Sequence, residues 1–232
     1  MKVLFAGPSL WGVSYDRTGL DVRPPARQGD LHRAVVEGAD AIGLIDGVFG
    51  FVPSVWHKEI LFALKSGVRV MGAASLGALR AAECASFGME VVGSIASSYA
   101  DGSRIEDADV CLVHAPAELD FMPLTEPLVD VEATVAAMLQ AGLASAGEAE
   151  ALLAAARTLY FADRTIEALT STAGLPALGP AYRKARVGAK SADALLLVER
   201  LKAAPSGRLP APEWELVLSD PWRHYLAGQA VA

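Results

Sequence analysis

The chain has few of the residues that build metal centres and disulfide frameworks. Its 232 residues include only two cysteines, Cys84 and Cys111, with no C-x-x-C pair and no paired-histidine spacing. We therefore expect no metal, no cofactor and no disulfide scaffold, and a reducing cytoplasm fits this cysteine usage. The surrounding patterns predict Cys84 in an apolar helix and Cys111 in a strand. A free cysteine in such places usually acts as a small hydrophobic residue rather than as a nucleophile.

Basic residues and long apolar runs are also scarce. Lysine and arginine number 20 against 27 acidic residues, and the net charge is −7. A nucleic-acid binder needs a basic face, so we expect no nucleic-acid partner. No apolar run reaches the roughly 18 to 20 residues that span a bilayer, so we expect no membrane association. The N-terminal run MKVLFAGPSL is broken by Gly7 and Pro8, and it predicts a buried first strand rather than a signal sequence.

What the chain does have is a high apolar content, 53% of its residues, in two different patterns. The first half alternates apolar runs with helical spacing, which predicts a parallel sheet with right-handed crossovers. The predicted strands cover 2–6, 39–45 and 68–71, with two further candidates at 91–95 and 110–114. The predicted helices cover 30–37, 53–65 and 77–87. Residues 10–28 carry neither pattern and are predicted to be loop.

From Leu128 onward the spacing is helical, and glycines and prolines separate the segments. Five helices are predicted, over 129–141, 146–160, 164–171, 180–187 and 191–203. The fold class is therefore α/β, with a parallel-sheet core and alternating helices in the N-terminal half and an α-helical C-terminal region. We place the core domain at 1–120 and the helical region at 121–232. The helical region could pack on the sheet or bind a partner.

The segment that points most directly to chemistry is GVRVMGAASLGALRAAE, residues 67–83. It predicts a strand, a turn of small residues that contains Ser75, and a helix from about Gly77. This arrangement places a hydroxyl at the carboxyl end of a sheet beside the free N–H groups of a helix start, which suits a nucleophile and its oxyanion. The residues around Ser75 differ from the G-x-S-x-G elbow by an alanine at the first glycine. The alternative is a plain turn in which the serine caps the helix.

A serine hydroxyl needs a neighbouring base, and few lysines are available in the first half of the chain. Lys65 lies at the end of its predicted helix and should face the opposite edge of the sheet. Lys58 lies at the start of the same helix, on the edge where ligands gather in a parallel sheet. The positive end of the helix dipole would depress its pKa. We therefore predict a Ser75–Lys58 pair. His57 or His114 could be the base instead, and Lys58 could simply be a solvated surface lysine.

Further candidates flank this pair. The amides of Leu76 and Gly77 would stabilise an oxyanion. Asp46 and Gly47 follow the 39–45 strand, where they would line the site; Asp46 could orient Lys58 or the loop, or Asp46-Gly47 could be turn chemistry alone.

Arg80 lies one turn after Ser75. It could hold a substrate carboxylate or fix the Ser75 loop. The alternative is an ordinary helix-surface ion pair between Arg80 and Glu83, which is worth only a few tenths of a kcal/mol.

Seven segments of the chain, among them the Ser75 segment GAASLGALRAAE at 72–83, resemble the TfuA-like protein family. The resemblance covers most of residues 1–130, and the serine-bearing segment is its most specific part, whereas the helical half resembles the family only loosely. Members commonly have Ser-Met-Gly where this chain has Ser-Leu-Gly at 75–77, and a Met-to-Leu exchange keeps the volume. The segments are GPSL (7–10), RPPARQGDL (23–31), ADAIGLIDGVF (39–49), PSVWHKEI (53–60), GAASLGALRAAE (72–83), FGM (87–89) and YADG (99–102).

The resemblance implies a function that spacing alone does not give. TfuA-like proteins accompany YcaO enzymes, which activate a peptide amide so that sulfur replaces its oxygen. The family is described as having an α/β fold of its own and a hydrolase-like site with a serine–lysine pair. This site releases sulfide from the C-terminal thiocarboxylate of a ThiS-like sulfur-carrier protein. The serine corresponds to Ser75, and we carry the lysine over to Lys58.

Two other functions stay open at this point. One is a non-catalytic adaptor that uses the helical half to bring the peptide substrate to YcaO. The other is a generic serine hydrolase with His57 or His114 as its base.

Overall fold

The protein folds around a five-stranded parallel sheet. The structure is a computed structural model that describes residues 1–48, 50, 52–217 and 219–229; residue 49, which ends the 39–49 segment, lies outside the described residues. The strand order is β2-β1-β3-β4-β5, and each neighbouring pair is parallel. The α/β fold is therefore confirmed. The strands are β1 (Lys2–Phe5), β2 (Leu20–Arg23), β3 (Ala41–Leu44), β4 (Arg69–Gly72) and β5 (Glu90–Val91).

Three of the predictions for the first half were wrong in detail. Strand β2 lies within the predicted loop 10–28; it is a half-buried edge strand, so its sequence LDVR lacks a continuous apolar run. Residues 110–114 form no strand beyond an isolated bridge at His114. Part of the backbone there is held by side chains instead, since Thr125 Oγ1 accepts the N–H of Val113. Near 91–95 the chain turns at Gly93, whose φ is 88°, and a helix begins there.

In the described part of the first half, four helices accompany the strands, and the bounds of three of them are close to those predicted. They are α1 (Asp30–Val36), α2 (His57–Lys65), α3 (Leu76–Cys84) and α4 (Gly93–Ala100). Helix α2 begins at His57 rather than at Pro53. The carboxylate of Glu59 accepts the backbone N–H of Trp56 at 3.2 Å, and this bond closes the first turn of α2. The fourth helix, α4, falls where a strand had been predicted.

The helical half contributes α5 (Leu128–Gln140), α6 (Ala146–Thr158), α7 (Ile166–Thr172), α8 (Gly179–Ala185), α9 (Ala189–Ala203) and α10 (Asp220–Gln229). Residues of α5 to α8 share a core of their own, which includes Met138, Leu152, Leu169 and Tyr182. The division into domains at 1–120 and 121–232 stays a prediction.

The two faces of the sheet are covered by different helices. Alternate strand residues such as Val3, Ile42 and Val70 share a core with α1, α2 and α3. Residues that point the other way, such as Leu4 and Met71, pack with the buried face of α9. Because α9 lies on the sheet, it brings residues from late in the chain beside the first four strands. The position of α9 on the sheet therefore brings residues of the helical half next to the strands of the first half.

The last segment of the chain crosses α2 and the start of β4. Lys65 Nζ donates to the carbonyl of Trp214 at 2.8 Å, and Arg69 Nη1 donates to the carbonyl of Gly207 at 2.7 Å. Trp222 of α10 is fully buried, and its ring lies 5.9 Å from that of His32 in α1. None of the helices formed by the described residues is both long enough and apolar enough to cross a membrane.

Candidate active site

Ser75 lies in a tight turn at the carboxyl end of β4. The turn runs from Ala73 to Ser75, and α3 begins at the next residue. Ala74 adopts a left-handed conformation with φ 63°, and the N–H of Ser75 donates to the carbonyl of Ala73 at 2.7 Å. Positive φ at a residue with a side chain is uncommon and marks a turn that its surroundings hold in place. Within the described residues the Ser75 side chain forms no capping bond to α3, so its hydroxyl is left for another partner.

Glycines allow α3 to start directly against the end of β3. A Cβ at Gly77 would overlap with the carbonyl oxygen of Leu44, and the N–H of Gly77 donates to the carbonyl of Ile45 at 3.1 Å. A Cβ at Gly47 would overlap with the side chain of Leu76. These glycines therefore make room for the turn that carries Ser75.

The same contacts show which of the Leu76 and Gly77 amides is available to donate to an oxyanion. Because the Gly77 amide is already bonded to Ile45, this structure does not leave it free for an oxyanion. Leu76 is the first residue of α3, and the amide of a first helical residue has no carbonyl partner within its helix. Of the two predicted oxyanion donors, the amide of Leu76 is the one in a suitable position.

The amine that reaches Ser75 belongs to Lys190. Its Nζ donates to Ser75 Oγ at 3.0 Å and to the carbonyl of Val110 at 2.7 Å. Lys190 is the second residue of α9 and is 2% exposed, and Ser75 is 4% exposed. A buried lysine that contacts a buried serine hydroxyl has the geometry of a nucleophile and its general base.

The surroundings of Lys190 shift the pKa of its amine in both directions. Complete burial lowers the pKa of its amine, because a low dielectric penalises the ammonium ion. The negative charges of Asp46 and Asp130 oppose this effect and raise the pKa. The net pKa is lowered, so the amine accepts a proton at a lower pH than an exposed lysine does.

Asp46 holds the loop that follows β1. Its carboxylate is 1% exposed and accepts three hydrogen bonds, from the N–H of Gly7 at 2.8 Å and from the N–H and hydroxyl of Ser9 at 3.1 and 2.7 Å. These bonds orient the loop after β1, and none of them goes to Lys58 or to the turn at Ser75.

The structure does not bring Lys58 to Ser75. Lys58 Nζ donates to the carbonyl of Val217 at 2.9 Å, on the C-terminal segment. The buried face of α2 is formed by Glu59, Ile60 and Ala63, and it directs Lys58 away from the sheet. The structure therefore places Lys190, and not Lys58, beside Ser75.

The two histidines proposed as alternative bases are also engaged elsewhere. His57 Nε2 bonds to the carboxylate of Glu83 at 2.8 Å in an exposed position. His114 Nδ1 bonds to the carbonyl of Ala115 at 2.8 Å, and its ring packs against Phe121. Neither ring bonds to Ser75, whose hydroxyl is bonded to Lys190 instead.

Arg80 ties α3 to the segment before α2. Its Nε donates to the carbonyl of Val55 at 3.1 Å, and its Nη1 donates to Glu83 at 2.6 Å. The Arg80–Glu83 pair named as the simpler alternative is therefore present, and Arg80 also holds the segment at Val55 that precedes α2.

The two cysteines behave as apolar residues. Burial raises the pKa of Cys84 and of Cys111 to about 11, which keeps both thiols protonated.

Sequence reasoning missed Lys190, although the sequence carries a signal for it. Lys190 shares one helical face with four residues of α9 that are buried against the sheet: Ala194, Leu197, Val198 and Leu201. The spacing of i, i+4, i+7, i+8 and i+11 places a lysine on an apolar stripe, where a lysine is unusual. The bases predicted from the sequence, Lys58, His57 and His114, all lie in the first half of the chain, whereas Lys190 lies in the helical half.

A cleft of about 380 Å³ reaches Lys190. Lys190 and Asp130 form part of its wall, together with Ser9, Trp11, Val13 and Arg186. A second cleft of about 790 Å³ shares Trp11 and Val13 with the first. Both clefts border the loop after β1.

Comparison with known proteins places these residues in a family. The profile of a family described as TfuA-like protein matches residues 46–165, which are 120 of the 232 residues. The chain belongs to the TfuA-like protein family. None of the curated proteins compared with the chain matches it significantly. The matched range includes Asp46, Ser75 and Asp130 but ends before Lys190, so the amine of the candidate site comes from outside the part of the chain that matches the family.

Proposed function

We propose that this TfuA-like protein hydrolyses the C-terminal thiocarboxylate of a ThiS-like sulfur-carrier protein and supplies the sulfide to a YcaO enzyme for peptide backbone thioamidation. The observation that carries the proposal is the buried Lys190 amine, 3.0 Å from the Ser75 hydroxyl at the carboxyl end of β4. Membership of the TfuA-like family supports the YcaO partner, and the serine–lysine geometry supports the reaction class. The ThiS-like substrate is what the family resemblance implies.

In the first half of the reaction, the neutral Lys190 amine takes the proton of Ser75 Oγ. The oxygen attacks the thiocarboxylate carbon, a C–O bond forms, and a tetrahedral intermediate results. The C–S bond then breaks, and Lys190 returns its proton to the departing sulfur, so that hydrosulfide leaves. The carrier is now joined to Ser75 as an ester.

In the second half, water hydrolyses that ester. Lys190 takes a proton from the water as it attacks the carbonyl carbon, and then gives this proton to Ser75 Oγ as the C–O bond to serine breaks. The products are the regenerated hydroxyl and the carrier with an ordinary C-terminal carboxyl group, which releases its proton to solvent and becomes a carboxylate. In both halves the Leu76 amide donates to the oxyanion, an interaction that is worth roughly 3 to 4 kcal/mol in other acyl-transfer enzymes.

The cleft that Lys190 lines suits a flexible tail. A carrier's C-terminal tail would enter along the loop after β1 and present its last carbonyl to Ser75. Val13 lines both clefts, so a bulky side chain there obstructs the path without touching the reacting groups.

We therefore expect Val13→Trp to raise KM for the thiocarboxylated carrier at least about tenfold, with a smaller effect on kcat, because it blocks binding. The matched control is Val36→Trp, which adds the same side chain at an exposed position of α1. Steady-state kinetics of sulfide release measure both constants. An unchanged KM in Val13→Trp would place the tail elsewhere.

The proposed function is tested by mixing the purified chain with a thiocarboxylated ThiS-like carrier and measuring sulfide. Catalytic release, many equivalents per chain, is expected, together with conversion of the carrier to its carboxylate form by intact mass. The carrier with a carboxylate terminus is the negative control. If sulfide appears no faster than without the chain, the hydrolase proposal fails.

A second candidate is the adaptor role. Ile105 is 77% exposed and Tyr160 63% exposed, and both border a depression of about 730 Å³ that also includes Arg157. Such a surface fits a protein partner. An adaptor without catalysis predicts that thioamidation by YcaO is undiminished by Ser75→Ala and is lost on replacing Ile105 and Tyr160 together.

A further inference from the structure

Asp130 supports the helix that carries Lys190. It lies in the first turn of α5 and is 6% exposed, and its Oδ1 accepts the backbone N–H of Lys190 at 2.9 Å. Helix α9 begins just after Gly188, which has no side chain to cap it. A residue from another helix therefore satisfies one of the first amides of α9, at the residue whose side chain reaches Ser75.

Asp130 and Lys190 also line the same cleft, and the negative charge of Asp130 raises the pKa of the Lys190 amine. Burial raises the pKa of Asp130 to about 6, and the amide and charge of Lys190 act in the opposite direction. Glu126 and Arg186 also face Asp130, as does the buried ring of Tyr182 in α8. Lys190 itself is faced by Asp46, Asp130, Cys111 and Ser75.

We propose that Asp130 is a positioning residue for Lys190: it anchors the start of α9 so that the amine reaches Ser75, and its negative charge stabilises the ammonium form of that amine. The inference rests on the proposed function, since it assigns a role within the same site. The anchoring bond and the charge are separable, because asparagine keeps an acceptor oxygen but carries no charge.

Two variants separate the contributions. With Asp130→Asn, the amine loses an anionic neighbour and its pKa falls, so the acid limb of the kcat/KM profile moves to lower pH by roughly one unit. With Asp130→Ala the anchoring bond is lost as well, and kcat falls at least about tenfold with little change in KM. Asn is expected to restore most of the kcat that Ala loses.

Asp193→Asn is the matched control. Asp193 is a buried aspartate on the same helix, but its carboxylate accepts the N–H groups of Ser94 and Ile95 and so caps α4. Its replacement lowers stability without moving the acid limb. An acid limb that stays in place in Asp130→Asn, or that moves equally in Asp193→Asn, overturns the proposal.

An NMR titration of labelled lysine makes the test independent of hydrolysis. The Cε and Nζ signals of Lys190 are assigned by their loss in Lys190→Met. The titration midpoint of Lys190 is expected to be lower in Asp130→Asn than in the wild type. If the wild type releases no sulfide but the midpoint falls, the proposed function fails and the role of Asp130 as a charged neighbour stands. An unchanged midpoint refutes that role directly.

Discussion

Lys190→Met is expected to lower kcat for sulfide release by about 10²- to 10⁴-fold, the range found when a general base is removed. Methionine keeps an unbranched apolar side chain of similar length, so the packing of α9 on the sheet is retained while the amine is lost. The measurement is the initial rate of sulfide release from a thiocarboxylated carrier, together with a thermal unfolding curve. Because methionine removes a buried ionisable group, we expect no large loss of stability.

Lys58→Met is the control for this prediction. Lys58 donates to the carbonyl of Val217 in the structure, away from Ser75, and its replacement should leave the rate close to that of the wild type. The sequence-based pairing predicts the reverse order of effects. A severe loss in Lys58→Met beside a mild one in Lys190→Met would therefore restore the original assignment and contradict ours.

Ser75→Ala should lower the rate by at least about 10³-fold, since no other group in the turn can form the ester. The fold should tolerate the change, because alanine fits the small-residue turn and Lys190 Nζ keeps its bond to the carbonyl of Val110. Ser97→Ala is the control, since among the described residues Ser97 Oγ bonds only to the carbonyl of Gly93, on the exposed side of α4.

The double variant Ser75→Ala with Lys190→Met tests whether the two residues act as one unit. When two groups serve the same step together, removing both lowers the rate little more than removing either one. We expect the double variant to have about the rate of Ser75→Ala alone. Losses that multiply would indicate that the two side chains act in separate steps.

The fold class and the position of Ser75 were predictable because both depend on local patterns. Apolar runs separated by helical spacing predict a parallel sheet, and a strand followed at once by small residues and a helix predicts the turn at Ser75. Strand β2 was missed because its sequence LDVR alternates apolar and polar residues over only four positions and contains no continuous apolar run.

The partner of Ser75 could not be found from the order of elements alone. Lys190 is 115 residues away in sequence, and the two meet because α9 crosses the second face of the sheet. The apolar stripe of α9 indicates that Lys190 is buried, but it does not indicate which residues Lys190 faces. In the same way, nothing in the sequence shows that the Gly77 amide is bonded to the carbonyl of Ile45, which removes it as an oxyanion donor.

The most direct test is to look for the ester on Ser75 during the first turnover. The chain is mixed with an equal amount of thiocarboxylated carrier, quenched with acid at short times, and analysed by intact mass and peptide mapping. We predict a transient adduct with the mass of the chain plus the carrier less hydrogen sulfide, mapped to Ser75 and absent from Ser75→Ala. Sulfide release by Ser75→Ala at the wild-type rate, with no adduct on the wild-type chain, would contradict the account.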